Sequence, residues 1–97
     1  MADLDPVIHQ PTRLRLMMML SGVAAADFTF LQNSLGLSNG NLSTHMAKLE
    51  QAQYVTVTKT FEGKLPKTRY QLTDLGRERL EQYWRELDEI RGQGRPS

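Results

Sequence analysis

The sequence predicts a mainly α-helical domain carrying one small β-hairpin, in the order helix, two short helices joined by a tight turn, hairpin, helix. Three features predict it. Leu42, Met46 and Leu49 recur at i, i+4 and i+7, the spacing of one buried helix side. Residues 54–72 hold two stretches in which side chains alternate in character, the period of strands, on either side of Gly63. Leu75, Leu80, Tyr83, Trp84, Leu87 and Ile90 then form an apolar stripe along a last, long helix.

Taken in order, residues 1–10 form an arm whose Leu4, Val7 and Ile8 are apolar enough to pack on something. Pro6 and Pro11 restrict it to a short helical turn. Pro11 suits the first turn of a helix over 11–20, with Leu14, Met17, Met18 and Leu20 on its apolar side. Ser21-Gly22 stops that helix. Thr29 followed by Gln32 reads as a capping box and Phe28 as the staple residue before it, so a second helix runs from Phe30 to Leu35. Gly36 ends it, Leu37 fills the turn, and Ser38 caps a third helix reaching Gln51. Residues 29–51 are thus a helix-turn-helix.

Beyond it, Val55, Val57 and Phe61 alternate with Thr56, Thr58 and Thr60. Glu62 to Pro66 reads as the connecting loop, and Thr68, Tyr70 and Leu72 alternate with Lys67, Arg69 and Gln71 to complete a hairpin with a basic tip over 54–72. Thr73 caps the last helix, Asp74 favours its first turn, and the helix covers 73–91. Residues 92–97 have the composition of a flexible tail.

Ninety-seven residues, 39% of them hydrophobic and 24% charged, make a single domain over 1–97 with a modest core. The absence of cysteine excludes disulfides, thiolate metal sites and cysteine nucleophiles, and fits a reducing cytoplasm. Two histidines outside any metal-ligand spacing argue against a metal centre. No glycine-rich phosphate loop or nucleophile elbow is present, so no enzyme activity, catalytic residue or cofactor is expected. The most apolar run, Leu14 to Leu20, is too short to span a bilayer, and the acidic arm before it does not resemble a signal peptide. No membrane partner is expected.

Net charge is only +1, but it is unevenly spread. Residues 38–70 carry five cations against two acids, and residues 71–91 carry four arginines against six acids. The basic middle contains the candidate site. Ser38, Asn39, Gly40, Asn41, Ser43, Thr44 and Lys48 occupy the side of the third helix away from Leu42, Met46 and Leu49. Short hydrogen-bonding side chains and one cation suit a DNA major groove, where base edges present donors and acceptors. Gly40 permits close backbone approach. His45 borders the buried side, as a packing residue or a phosphate donor. Lys59, Lys64, Lys67 and Arg69 on the hairpin are candidate phosphate or minor-groove contacts, with Thr58 and Thr60 able to add to them.

Helix, helix-turn-helix, basic hairpin and helix together make a winged helix, and the chain resembles the small single-domain winged-helix transcriptional regulators related to the MarR and ArsR families. The resemblance is carried by Leu4-Asp5-Pro6-Val7-Ile8-His9 with Pro11-Thr12-Arg13-Leu14-Arg15, by Asp27-Phe28-Thr29-Phe30-Leu31, by Asn39 to His45, by Lys48-Leu49-Glu50, and by Pro66-Lys67-Thr68-Arg69-Tyr70 with Leu72 to Arg77. It spans roughly residues 3–90. It implies a homodimeric regulator of double-stranded DNA, a repressor, whose third helix enters the major groove and whose wing touches backbone or minor groove. It implies dimerisation through the N-terminal arm, first helix and C-terminal helix, which nominates Leu4, Val7, Ile8, Leu80, Tyr83, Trp84, Leu87 and Ile90. One departure is Gln53, where relatives usually carry glycine.

With little chain outside the winged helix, no separate effector domain is expected. A small-molecule or protein effector, whose identity the sequence leaves open, would act between protomers or against the last helix. Tyr83 and Trp84 suit an interface better than an effector pocket. The alternative function is a winged-helix module that binds protein through the arm and the Leu80–Ile90 stripe and leaves DNA alone.

Overall fold

Each of the four helices begins at a side chain that accepts a backbone N–H from its first turn. In the computed structural model, which describes residues 3–93, the elements are α1 Pro11–Ser21, β1 Ala26–Asp27, α2 Phe28–Leu35, α3 Asn39–Gln51, β2 Val55–Glu62, β3 Leu65–Leu72 and α4 Asp74–Gln93. Gln10 caps α1 through Arg13 N at 2.8 Å, and Asp27 caps α2 through Phe30 N at 2.8 Å. Ser38 caps α3 through Asn41 N at 3.1 Å, and Thr73 caps α4 through Gly76 N at 2.9 Å. Each bond satisfies a donor that the helix itself leaves unpaired.

Two of these caps agree with the sequence reading and one replaces it. Ser38 and Thr73 act as expected. Asp27, not Thr29, caps α2, so the helix starts two residues earlier than predicted. An ionised carboxylate beside the positive end of a helix is the stronger acceptor, and Asp27 is already extended because it pairs in the sheet. That pairing involves β1, which sequence periodicity could not show because it is two residues long. The sheet order is β1-β3-β2, all antiparallel, with Ala26 opposite Tyr70 and Val55 opposite Leu72.

The hairpin loop is shorter than predicted. Gly63 and Lys64 alone connect the strands, and Glu62 pairs directly with Leu65. Gly63 has φ +64°, as the first central residue of a II′ turn requires. Leu65 and Pro66 therefore belong to β3 rather than to a loop.

The core joins Ile8 of the arm, Leu16, Met17 and Leu20 of α1, Leu31 of α2, Leu42, Met46 and Leu49 of α3, and Leu80 and Tyr83 of α4. On α1 the buried side agrees with the predicted one at Met17 and Leu20 and departs from it at the other two positions. Leu16 is fully buried while Met18 is exposed and Leu14 half-buried. The helix is apolar almost all round, so its sequence does not fix which side faces inward. Phe61, assigned to the apolar face of its strand, is 76% exposed because the wing carries it beyond the core. Helix α4 continues through Gly92 and Gln93, which the sequence assigned to the tail; the rest of that tail, 94–97, lies outside the described residues.

Two backbone features fix how the wing leaves the helix-turn-helix. Gly36 closes α2 in the left-handed conformation, φ +63°, and Gln53 adopts the same region just after α3, φ +67°. The Gln53 carbonyl then accepts the Thr73 hydroxyl at 2.7 Å, and the Tyr54 carbonyl accepts the Thr73 N–H at 2.9 Å. Gly76 packs so tightly on that Tyr54 carbonyl that a Cβ would overlap it. The start of α4 is thereby seated against the start of the wing.

Candidate nucleic-acid interface

The buried trio Leu42, Met46 and Leu49 anchors α3, and the side chains turned away from it are exposed: Ser38, Asn39, Gly40, Asn41, Ser43, Thr44 and Lys48. They are not equally free. Ser38 Oγ is occupied by its cap. Asn39 Oδ1 accepts Gln32 Nε2 at 2.6 Å, which leaves chiefly its amide NH2 to offer outward. The Thr44 hydroxyl donates to the Gly40 carbonyl at 2.8 Å, so its oxygen faces a ligand as an acceptor. Among the described residues, the side chains of Asn41, Ser43 and Lys48 have no hydrogen-bonding or ionic partner within the protein. Gln32, which orients Asn39 from α2, was read in the sequence only as the second half of a capping box.

Gly40 lies in an ordinary helical conformation, and a Cβ there would meet nothing within 4 Å. No intramolecular contact requires glycine at this place, and glycine costs a helix about 1 kcal/mol relative to alanine. The backbone is therefore bare at the N-terminal end of the polar face.

His45 sits half-buried beside this face. Its Nδ1 is 3.2 Å from Arg13 Nη1. Burial, the Arg13 guanidinium and the Lys48 ammonium all hold its pKa below the usual histidine value. Arg13 was not singled out in the sequence, because a cation near the start of an apolar helix has no pattern of its own.

On the wing, Lys59, Lys64 and Arg69 are exposed. Lys67 is half-buried and lies between Asp27 Oδ2 at 3.7 Å and Glu62 Oε2 at 3.4 Å. Those two acids offset its charge, and it ties the wing to the cap of α2, so of the wing cations read as candidate phosphate contacts it is the one already paired among the described residues. The strand pleat divides the others. Lys59 lies opposite Thr68, on the face that continues from Val57 and Tyr70, and Arg69 lies opposite Thr58 on the reverse face. Lys64 is at the turn between them. Exposed Phe61 and Leu65, 76% and 68% accessible, flank that turn. The sequence reading placed Phe61 on the apolar face of its strand and Leu65 in the loop, and gave neither a part in the site.

The nominated dimer residues separate into two groups. Ile8, Leu80 and Tyr83 are 0%, 5% and 3% exposed within one protomer, so they belong to its own core and have little surface left for a partner. Tyr83 is further held by its hydroxyl against His9 Nδ1 at 2.9 Å. Trp84 and Ile90 are exposed, and Leu4, Val7 and Leu87 are half-buried. A mostly apolar open groove of about 530 Å³ lies between the end of the arm, α1 and Tyr83 of α4, lined by His9, Gln10, Pro11, Leu14, Arg15, Met18 and Tyr83. Among the described residues no cluster of three or more His, Asp or Glu side chains is placed to hold a metal ion.

Residues 12–91 match the family model of the winged helix DNA-binding domain. The chain belongs to that family. The winged helix is also the fold of the solved structures it superposes on. A transcriptional regulator homologue from Pyrococcus horikoshii is 30% identical, with a TM-score of 0.83 over 92% of this chain and 89% of that one. A MarR mutant from E. coli, solved in complex with operator DNA, shares the fold at 18% identity and a TM-score of 0.68, over 80% of this chain and 55% of the other. An uncharacterized protein of Methanocaldococcus jannaschii is 28% identical over 81 residues, 84% of this chain and 88% of its own. The winged-helix reading of the sequence therefore holds at the level of family and fold, and with MarR the chain shares the fold.

Proposed function

We propose that this winged helix protein is a transcriptional regulator that binds double-stranded DNA sequence-specifically, as a homodimer on a pseudo-palindromic operator, and represses by occupying the promoter. The observation that carries the reading is the outward face of α3. It offers Asn41, Ser43 and Lys48 without internal partners, around a glycine that the fold does not need. Side-chain amides pair with adenine edges and hydroxyls with several bases, while Lys48 and the exposed wing cations Lys59, Lys64 and Arg69 suit phosphates.

The dimer reading is supported by Trp84 and Ile90, large apolar side chains left exposed on α4, and by the mostly apolar groove that Tyr83 of the same helix helps to line. A twofold axis near them would set the two recognition helices roughly 34 Å apart, one turn of DNA. The same groove is where an effector, of a kind still open, would alter the spacing of the two helices. Among the described residues no helix is long and apolar enough to cross a membrane. We place the protein's action in the cytoplasm, which its lack of cysteine suits.

Selection of bound fragments from a random duplex pool tests the reading. An enriched pseudo-palindrome is expected, and Asn41→Ala should lower affinity for it by about 1–3 kcal/mol, with a smaller loss on random DNA. Sedimentation should give twice the 11.1 kDa chain mass at micromolar concentration. A protein that binds no duplex at all would be a protein-interaction module instead.

A further inference from the structure

We propose that Arg13 is a positioning residue for DNA reading: it holds His45 in one orientation and one tautomer, so that the ring presents a neutral Nε2–H donor to the duplex. The inference rests on the DNA-binding reading of α3 and adds to it a residue from α1.

The geometry is over-determined. Arg13 Nε donates to the Val7 carbonyl at 2.6 Å and Nη2 to the Pro6 carbonyl at 3.3 Å, so the arm grips two edges of the guanidinium. The arm is itself fixed at Asp5, which accepts Val7 N at 2.8 Å through Oδ1 and the Tyr54 hydroxyl through Oδ2. What remains of the planar fork, Nη1, is delivered to His45 Nδ1 at 3.2 Å. A guanidinium has only donors, so Nδ1 must accept, and the proton of the neutral ring must then be on Nε2. A solvated histidine would exchange between tautomers and gain a proton near neutrality. Here burial and two neighbouring cations favour the uncharged ring.

His45 also lies where such a donor is of use. It completes the row Asn41, His45, Lys48 at i, i+4 and i+7, whose two outer members are exposed. Its Nε2 has no hydrogen-bond partner within the protein among the described residues. A fixed N–H matches the acceptors of the major groove, purine N7, guanine O6 or thymine O4, and also a phosphate oxygen. An arginine that only stapled the arm would need no contact with α3.

The test combines nitrogen-15 NMR of the histidine rings in the free protein with duplex binding by wild type, Arg13→Met, His45→Ala and the double variant. Methionine keeps an apolar stem and removes every donor. Wild-type His45 should be in the Nε2–H form, and Arg13→Met should shift it toward a tautomer mixture. Each single variant should weaken binding to the selected site by about tenfold, the equivalent of one hydrogen bond of about 1.4 kcal/mol, and the double variant should be little worse than His45→Ala alone. A loss confined to the selected site assigns the contact to a base, and an equal loss on random duplex assigns it to phosphate. A wild-type ring that is Nδ1–H or charged, a tautomer indifferent to Arg13→Met, or additive losses would overturn the proposal. Were Arg13→Met unfolded, Arg13→Lys, whose single ammonium cannot span all three acceptors, takes its place in the cycle. Failure of the wild type to bind any duplex would instead remove the DNA reading, while the tautomer still reports the Arg13–His45 link.

Discussion

Replacing Gln53 by glycine should make the protein more stable. Gln53 holds φ +67° at the junction between the recognition helix and the wing. In that region the Cβ crowds the backbone, at a cost of about 1–2 kcal/mol for a non-glycine residue. Its side chain is exposed and has no hydrogen-bond or salt-bridge partner in the described structure, so truncation loses nothing there. Glycine relieves the strain but gives the unfolded chain more freedom, which offsets about 0.4–1 kcal/mol. The net expectation is a gain of about 0.5–1 kcal/mol. A chain of this length unfolds with an entropy near 0.2 kcal/mol/K, so Tm should rise by roughly 2–5 °C. The assay is calorimetric or urea unfolding at fixed protein concentration, since a dimer's Tm depends on it. Gln53→Ala, which keeps the Cβ, should be close to neutral, and Gln53→Asn should fall between because asparagine tolerates the left-handed region. A glycine variant no more stable than the alanine one would refute the argument and would mean that the strain is relieved elsewhere in the junction.

Other perturbations probe the same framework. Gly76→Ala should destabilise by about 2–3 kcal/mol, because its methyl would overlap the Tyr54 carbonyl and that backbone is pinned by Thr73; equilibrium unfolding reads this directly. Lys64→Ala should weaken binding on specific and random DNA alike and reduce the salt slope by about one, whereas Lys67→Ala, already balanced by Asp27 and Glu62, should change the slope less. Equal slopes for the two variants would contradict the ion pairing. Burial and the bond to Asp5 push the Tyr54 phenol up from 10.0 to about 12. The fold favours its neutral form, so this contribution to stability is complete below pH 10 and is lost as pH rises toward 12. Alkaline titration of phenolate absorbance, compared with Tyr54→Phe, should show the late-ionising group missing from the variant.

Much of this protein was legible from one sequence, for a physical reason. Helix ends and helix sides are local properties: Ser38, Thr73 and Gly36 act within a turn of where they stand, and Leu42, Met46 and Leu49 mark a buried side by spacing alone. The same holds for the polar face of α3, because the residues opposite a buried stripe must be outside. Gln53 was found through the family resemblance, as a departure from the glycine usual just after α3, and its φ of +67° agrees with that.

What the tertiary structure decided concerns contacts between residues far apart in the chain. Asp27 displaced Thr29 as the cap of α2 because β3 pulls it into an extended conformation, and no local pattern announces a two-residue strand. Leu16, rather than Met18, faces the core because α1 is apolar nearly all round and its neighbours choose the side. Lys67 proved to be paired with Asp27 and Glu62 from two other elements, although the lysines of the wing read alike in sequence. Ile8, Leu80 and Tyr83 were nominated for a dimer interface, but the fold buries them within one protomer. The Arg13–His45 link joins residues 32 apart, through an arm whose carbonyls take the other two donors. The sequence by itself determined the four helices, the hairpin and the face that reads DNA in the proposed function; packing alone decided which of its polar groups are already spent and which are left to bind.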